Sequence, residues 1–167
     1  MRYIIDGYNL IMSSGFSDDF DFNRAQTKRE KLISLLASFK TNNRVNISVV
    51  FDGGKTDELD IGRQSIDGID IYYSRGGQEA DQVIKDIVEG LQNPREVTVV
   101  SSDKGITAYV KSLGASIESA QSFYGKIKQY KPAGPGYISE GAYSEKYLKG
   151  YDAEEERKQL RSKKKRK

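Results

Sequence analysis

The chain of 167 residues contains no cysteine and no histidine. Without cysteine there is no disulfide framework and no thiol nucleophile. Without histidine there is no Ser-His-Asp triad, and with both missing no ordinary zinc centre can form. Long apolar runs are absent as well: none approaches the roughly 18 residues of a membrane span. The opening Met1-Arg2-Tyr3-Ile4-Ile5-Asp6 is too short and too acidic for a signal peptide, so a cytoplasmic location away from membranes is expected. Hydrolytic chemistry in such a chain must rest on carboxylates and on hard, oxygen-seeking cations such as Mg²⁺ or Mn²⁺.

Hydrophobic residues make up 37% of the chain and charged residues 31%, which suits one domain with an appendage. The net charge of +3 hides an asymmetry. Residues 157–167 carry eight cations and no acid, which leaves residues 1–156 at −5. A mildly acidic body with a basic tail suits an arm that grips phosphate backbones. Lys163, Lys164, Lys165 and Arg166 are the tail's candidate contacts, and a solvated solubility tail is the plainer alternative.

Three apolar runs end in the same way. Tyr3-Ile4-Ile5 stops at Asp6-Gly7, Val45 to Phe51 stops at Asp52-Gly53-Gly54, and Val97 to Ser102 stops at Asp103 with Gly105 close behind. Each reads as a buried strand with an aspartate at its carboxyl end. In open α/β sheets, ligands bind in crevices outside the carboxyl ends of strands.

Between these runs the pattern is helical. Leu32, Leu35, Leu36 and Phe39 form one apolar stripe in a helix from about 24 to 40. Ala80, Ile84, Ile87, Val88 and Leu91 define a helix from 79 to about 91, in which Asp81 shares a face with Ile84 and Val88 and so points toward the sheet. Ile106, Tyr109, Val110 and Leu113 stripe a third, short helix. Residues 69–73 alternate as a strand, 115–117 read as a short final strand, 10–23 as a loop with room for a short helical turn, and 56–67 as an irregular flap. Strand and helix in alternation predict an α/β domain of Rossmann-like, three-layer form, with a central, mostly parallel sheet covered on both faces. From Phe123 onward tyrosines alternate with lysines, among them Tyr124, Lys126, Lys128 and Tyr130. Such a segment suits stacking on bases beside phosphate contacts, or packing of the extension onto the domain.

Asp6, Asp52, Asp81 and Asp103 form the candidate catalytic and metal-ligating set. Carboxylates crowded at one edge repel, and one or two Mg²⁺ or Mn²⁺ ions relieve that repulsion. Asp6 is the expected central ligand with Asp81 and Asp103 opposite, and Asp52 reaches the ion directly or through water. Taken singly, Asp52 also reads as a turn former, and Asp103 and Asp81 as ordinary features of helix starts. Asn9 would position a phosphate or water, or form a turn, and Ser101, Ser102 and Thr107 would donate hydrogen bonds to a ligand.

The ordered blocks Ile5-Asp6-Gly7-Tyr8-Asn9-Leu10, Val49-Val50-Phe51-Asp52-Gly53, Glu79-Ala80-Asp81 and Val100-Ser101-Ser102-Asp103-Lys104-Gly105 resemble the NYN domain, a branch of the PIN-like metal-dependent ribonucleases. Within it they resemble most the YacP-like group, which includes a ribosome-associated endoribonuclease of translated mRNA. The resemblance covers roughly residues 1–125. It implies that Asp6, Asp81 and Asp103 bind Mg²⁺ or Mn²⁺, with Asp52 or Glu79 as the fourth acidic member. It further implies hydrolytic, endonucleolytic cleavage of single-stranded RNA, with mRNA and the ribosome as partners. The expected organisation is a nuclease domain at 1–125, a Tyr/Lys-rich extension at 126–156 packing on it, and a basic tail at 157–167. Two rivals remain: a non-catalytic RNA or ribosome binder on the same fold, and a metal-dependent phosphatase. The block after Ile5 lacks the second aspartate, two residues after the first, that such phosphatases usually carry.

Overall fold

A strand buried on both faces needs no alternation of polarity, and the central strands are built that way: Tyr3, Ile4 and Ile5 are all buried, as are all four residues of Val97–Val100. The computed structural model describes residues 1–13, 16, 25–53, 63–74 and 79–130. In chain order the elements are β1 (Arg2–Asp6), α1 (Gly7–Ile11), α2 (Ala25–Asn43), β2 (Asn46–Phe51), β3 (Arg63–Ile66), β4 (Ile69–Tyr73), α3 (Ala80–Glu89), a 3₁₀ turn (Pro94–Glu96), β5 (Val97–Val100), α4 (Lys104–Ser112), β6 (Ser116–Glu118) and α5 (Ala120–Ile127).

The six strands form one sheet in the order β3-β4-β2-β1-β5-β6. All neighbours are parallel except β3, which runs antiparallel to β4. The chain builds outward from β1 through β2 to β4, then returns to lay β5 on the other side of β1. That reversal opens a crevice above the carboxyl ends of β1 and β5. One face of the sheet packs Tyr3, Ile5, Val49 and Phe51 against α1, α2 and α5. The other packs Ile4, Val50, Val97 and Val99 against α3 and α4. The expected α/β, mostly parallel, three-layer architecture is the one observed. Among the described residues no helix is long and apolar enough to cross a membrane.

Several local expectations give way. Residues 63–66 of the expected flap are strand β3, joined to β4 by Asp67 and Gly68, both at positive φ (52° and 73°). Two consecutive positive-φ residues make the type I′ turn that matches strand twist, and Asp-Gly is a natural pair for it. Residues 54–62 lie outside the described residues. Helix α1 starts at Gly7 and runs to Ile11, which supplies the short helical turn allowed for in residues 10–23, and the described remainder of that segment is residues 12, 13 and 16. Helix α2 is buried on more than one stripe, since Ile33 and Ala37 join Leu32, Leu35, Leu36 and Phe39 in the core. In α4, Ile106 and Val110 are buried but Tyr109 is 37% exposed, its hydroxyl reaching Glu89. Helix α5 carries Phe123 and Tyr124 into the core, and beyond residue 125 Ile127 is buried in it and Tyr130 packs against it, as expected of the start of the extension. The rest of the extension and the tail, with Lys163, Lys164, Lys165 and Arg166, lie outside the described residues.

Candidate metal centre

Asp6 ends β1 on the same side as Ile4 and therefore faces the α3–α4 layer. Its Oδ1 accepts from the Asn9 N–H at 3.0 Å and caps α1, and its Oδ2 accepts from the Ser101 hydroxyl at 3.2 Å. Glycine follows because the turn has no room: a Cβ at Gly7 would run into the Phe51 ring. Asp6 is 8% exposed. Burial outweighs the two hydrogen bonds, the charges of Asp81 and Asp52 add to it, and the Asp6 carboxyl is pushed up to about 6.

Asp103 follows β5 and starts α4, its Oδ1 accepting from the N–H groups of Gly105 (2.7 Å) and Ile106 (3.0 Å). Its own N–H donates to the Ser101 hydroxyl oxygen at 3.1 Å. Ser101, 1% exposed, therefore ties the end of β1 to the start of α4. Asp81 stands in the first turn of α3, half-buried beside the line of Ala80, Ile84 and Val88 that faces the core. Its carboxyl is raised, first by loss of solvent and then by Asp103, with Glu79 and Asp52 adding and Lys85 opposing. Its carboxylate has no hydrogen bond to a described residue. Asp52, just past β2, accepts from the Ala80 N–H through Oδ1 at 2.8 Å. Asn9 accepts from the Ser102 N–H through Oδ1 at 2.9 Å, fastening α1 to the loop between β5 and α4.

The four aspartates thus meet electrostatically at the topological reversal, and none forms an ion pair with a described residue. The donors are all carboxylate oxygens, the set a hard dication prefers. Among the described residues no group of three acidic side chains is arranged to hold a metal ion as it stands. The fit is therefore one of donor chemistry and placement.

Other candidate contacts also make bonds within the fold. Ser101 holds Asp6, the Ser102 hydroxyl accepts from the Ala120 N–H, and Thr107 bonds the Asp103 carbonyl, so each of these groups has a bond within the fold. Tyr124 is 2% exposed with its ring edge-on to Phe16. It belongs to the core and offers no face to a base. Lys126 pairs with Glu118 at 2.9 Å. Tyr130 packs edge-on to Phe39 and accepts from the Asn43 amide, at the end of the sheet opposite the aspartates, and Lys128 is exposed nearby in sequence. Sequence reasoning missed Ser74, whose hydroxyl accepts from the Gly53 N–H at 2.9 Å and whose N–H donates to the Phe51 carbonyl at 3.0 Å. No local pattern announces a bond between positions so far apart.

The sequence pattern of the YacP-like NYN domain matches residues 3–166. The chain is 24% identical over 152 residues to the uncharacterized protein YacP of Bacillus subtilis (strain 168), spanning 82% of this chain and 89% of that one. A crystal structure of Rae1 (YacP) from Bacillus subtilis aligns with a TM-score of 0.62 at 22% identity over 77% of this chain and 74% of that one. A point mutant of the same protein aligns at 0.61 and 21% identity over 77% and 75%. The sheet described above is the fold they share. This chain belongs to the YacP-like NYN domain family.

Proposed function

We propose that this protein is a divalent-metal-dependent endoribonuclease that hydrolyses phosphodiester bonds of single-stranded RNA, its substrate being mRNA in association with the ribosome. The observation that carries the reading is a buried carboxylate, Asp6, with its carboxyl pushed up to about 6, set at the sheet's reversal beside Asp81, Asp52 and Asp103 and without an ion pair to any described residue. Such self-repulsion persists in a folded protein where a ligand offsets it. Family membership and the nuclease-type fold support a phosphodiester as the substrate. When bound, Mg²⁺ or Mn²⁺ supplies Lewis acidity toward the phosphate and acidifies a water. Asp6 from the central strand, with Asp81 and Asp103 from two helix starts, would hold the ion. Asn9 and Ser101 keep these elements in register. The burial of Asp6 keeps bulk water from one side of the site. The basic residues 157–167 add a phosphate-binding arm.

The test is cleavage of RNA by the purified chain with Mn²⁺ or Mg²⁺, alone and with ribosomes, read as new internal 5′ ends. Asp6→Asn and Asp81→Asn are expected to abolish the cuts, and equal cleavage by either variant refutes the assignment. A second reading, a non-catalytic RNA or ribosome binder, is favoured by one observation: the Oδ1 atoms of Asp6, Asp52 and Asp103 are already committed to backbone N–H groups. Retained RNA binding without cutting under every metal and ribosomal condition selects it.

A further inference from the structure

We propose that Asp52 is a positioning residue and not an ion ligand: its carboxylate caps the amino terminus of α3 from 28 residues away and so sets where Asp81 stands. The inference rests on the reading of Asp81 as a ligand. Every helix leaves its first backbone N–H groups without partners. Helices α1, α4 and α5 are capped by the residue that precedes each of them: Asp6, Asp103 and Ser119. Glu79, in that position for α3, is extended (φ −88°, ψ 151°) and its side chain makes no capping bond. The cap is borrowed instead, by the bond from the Ala80 N–H to Asp52 Oδ1 at 2.8 Å.

The lender is itself held. The Gly53 N–H donates to the Ser74 hydroxyl, the Ser74 N–H donates to the Phe51 carbonyl, and a Cβ at Gly53 would strike the Ser74 carbonyl oxygen. The exits of β2 and β4 are thereby bolted together, and Asp52 carries that fixed frame to Ala80, one residue before Asp81.

Asparagine keeps a capping oxygen and discards the charge, whereas alanine discards both. The experiment compares the full-length chain with Asp52→Asn, Asp52→Ala and Asp81→Asn by hydrogen exchange of the α3 first-turn amides without metal, and by Mn²⁺ titration calorimetry. Asp52→Asn is expected to keep the Ala80 amide protected and to bind Mn²⁺ within about threefold of the parent. Asp52→Ala should lose that protection and weaken Mn²⁺ about 10–100-fold, as loss of an outer-shell partner does. Asp81→Asn should weaken Mn²⁺ with the amide still protected. The proposal is overturned if Asp52→Asn loses as much Mn²⁺ affinity as Asp52→Ala, the behaviour of a ligand, or if the Ala80 amide stays protected in Asp52→Ala. If Asp52→Ala does not fold, Asp52→Asn decides alone: near-parental Mn²⁺ affinity and amide protection uphold the cap, and loss of either overturns it. If the parent binds no Mn²⁺, the nuclease reading falls, while amide exchange still decides the cap.

Discussion

On the α1–α2–α5 face the sheet buries rings: Tyr3, Phe39 and Phe123 meet one another at centroid distances of 5.2–5.8 Å, and Phe16, Phe51 and Tyr124 complete the layer. On the α3–α4 face the buried core is aliphatic, with Tyr72 only half-buried at its margin. Yet Asp81 and Asp103 both ride on helices of the aliphatic face, and Asp6 points into it. Interlocked rings fix three helices by shape. Aliphatic packing tolerates small shifts, so the helices that carry charge are pinned at their starts by hydrogen bonds to Asp52, Ser101 and Asn9. The aromatic layer sustains the fold, and the polar pins on the other side set the site.

The largest effect should fall on the carboxylates themselves. Asp6→Asn or Asp81→Asn is expected to reduce RNA cleavage by about 10³-fold or more, some 4 kcal/mol of lost charge stabilisation in the transition state. The protein should remain folded, which circular dichroism checks. The core comes next. Phe123→Ala is expected to cost about 3–5 kcal/mol in urea denaturation and Ile84→Ala about 2–5 kcal/mol. The two should differ in the Mn²⁺ affinity of the molecules still folded: unchanged in the first, weakened in the second, because Ile84 seats the helix that bears Asp81. Equal loss of affinity in both would break the division between the layers.

Much of this was legible beforehand, and for a local reason. An apolar run that stops at a carboxylate marks strand, end and edge at once, so Asp6, Asp52 and Asp103 could be placed without a structure, and helical period put Asp81 on the inward face, where the structure leaves it half-buried at that face's edge. The Asp67-Gly68 hairpin was missed: the pair is a natural turn former, but the polar composition around it read as a flap. Tyr124 was not legible either. A tyrosine among lysines reads equally as a stacking surface or a core residue until its partner is known, and Phe16 lies far off in sequence. The same holds for Asp52, whose partner is a backbone N–H beyond two intervening strands.

The raised Asp6 carboxyl makes a prediction in pH. A carboxyl shifted above its unfolded value of 3.8 adds stability that is complete below that value and is lost as pH rises through about 6. The metal-free protein should therefore lose up to about 3 kcal/mol between pH 4 and pH 8 from this group. Asp6→Asn, which retains an acceptor for the Asn9 N–H, should melt above the parent at pH 8 and level with it near pH 4. Mn²⁺ must act the other way, since it binds the ionised form. Its stabilisation should grow as pH rises through 6 and shrink in Asp6→Asn. A parent whose metal-free stability is flat across this range removes the electrostatic basis of the site.

The smallest effect on stability, and the sharpest on the comparison, belongs to Asn9. Its side-chain oxygen takes the N–H of Ser102, an exposed residue that water can satisfy once the amide is gone. Asn9→Ala should therefore cost only about 1 kcal/mol in denaturation. The same bond fixes the loop that delivers Asp103 against the end of β1, and a loosened ligand carrier lowers catalysis through misplacement. Cleavage should fall about tenfold or more in kcat with little change in RNA affinity. A pin worth little to the fold and much to the site is what separates the two layers. If Asn9→Ala loses stability and activity in the proportion that Phe123→Ala does, the separation fails.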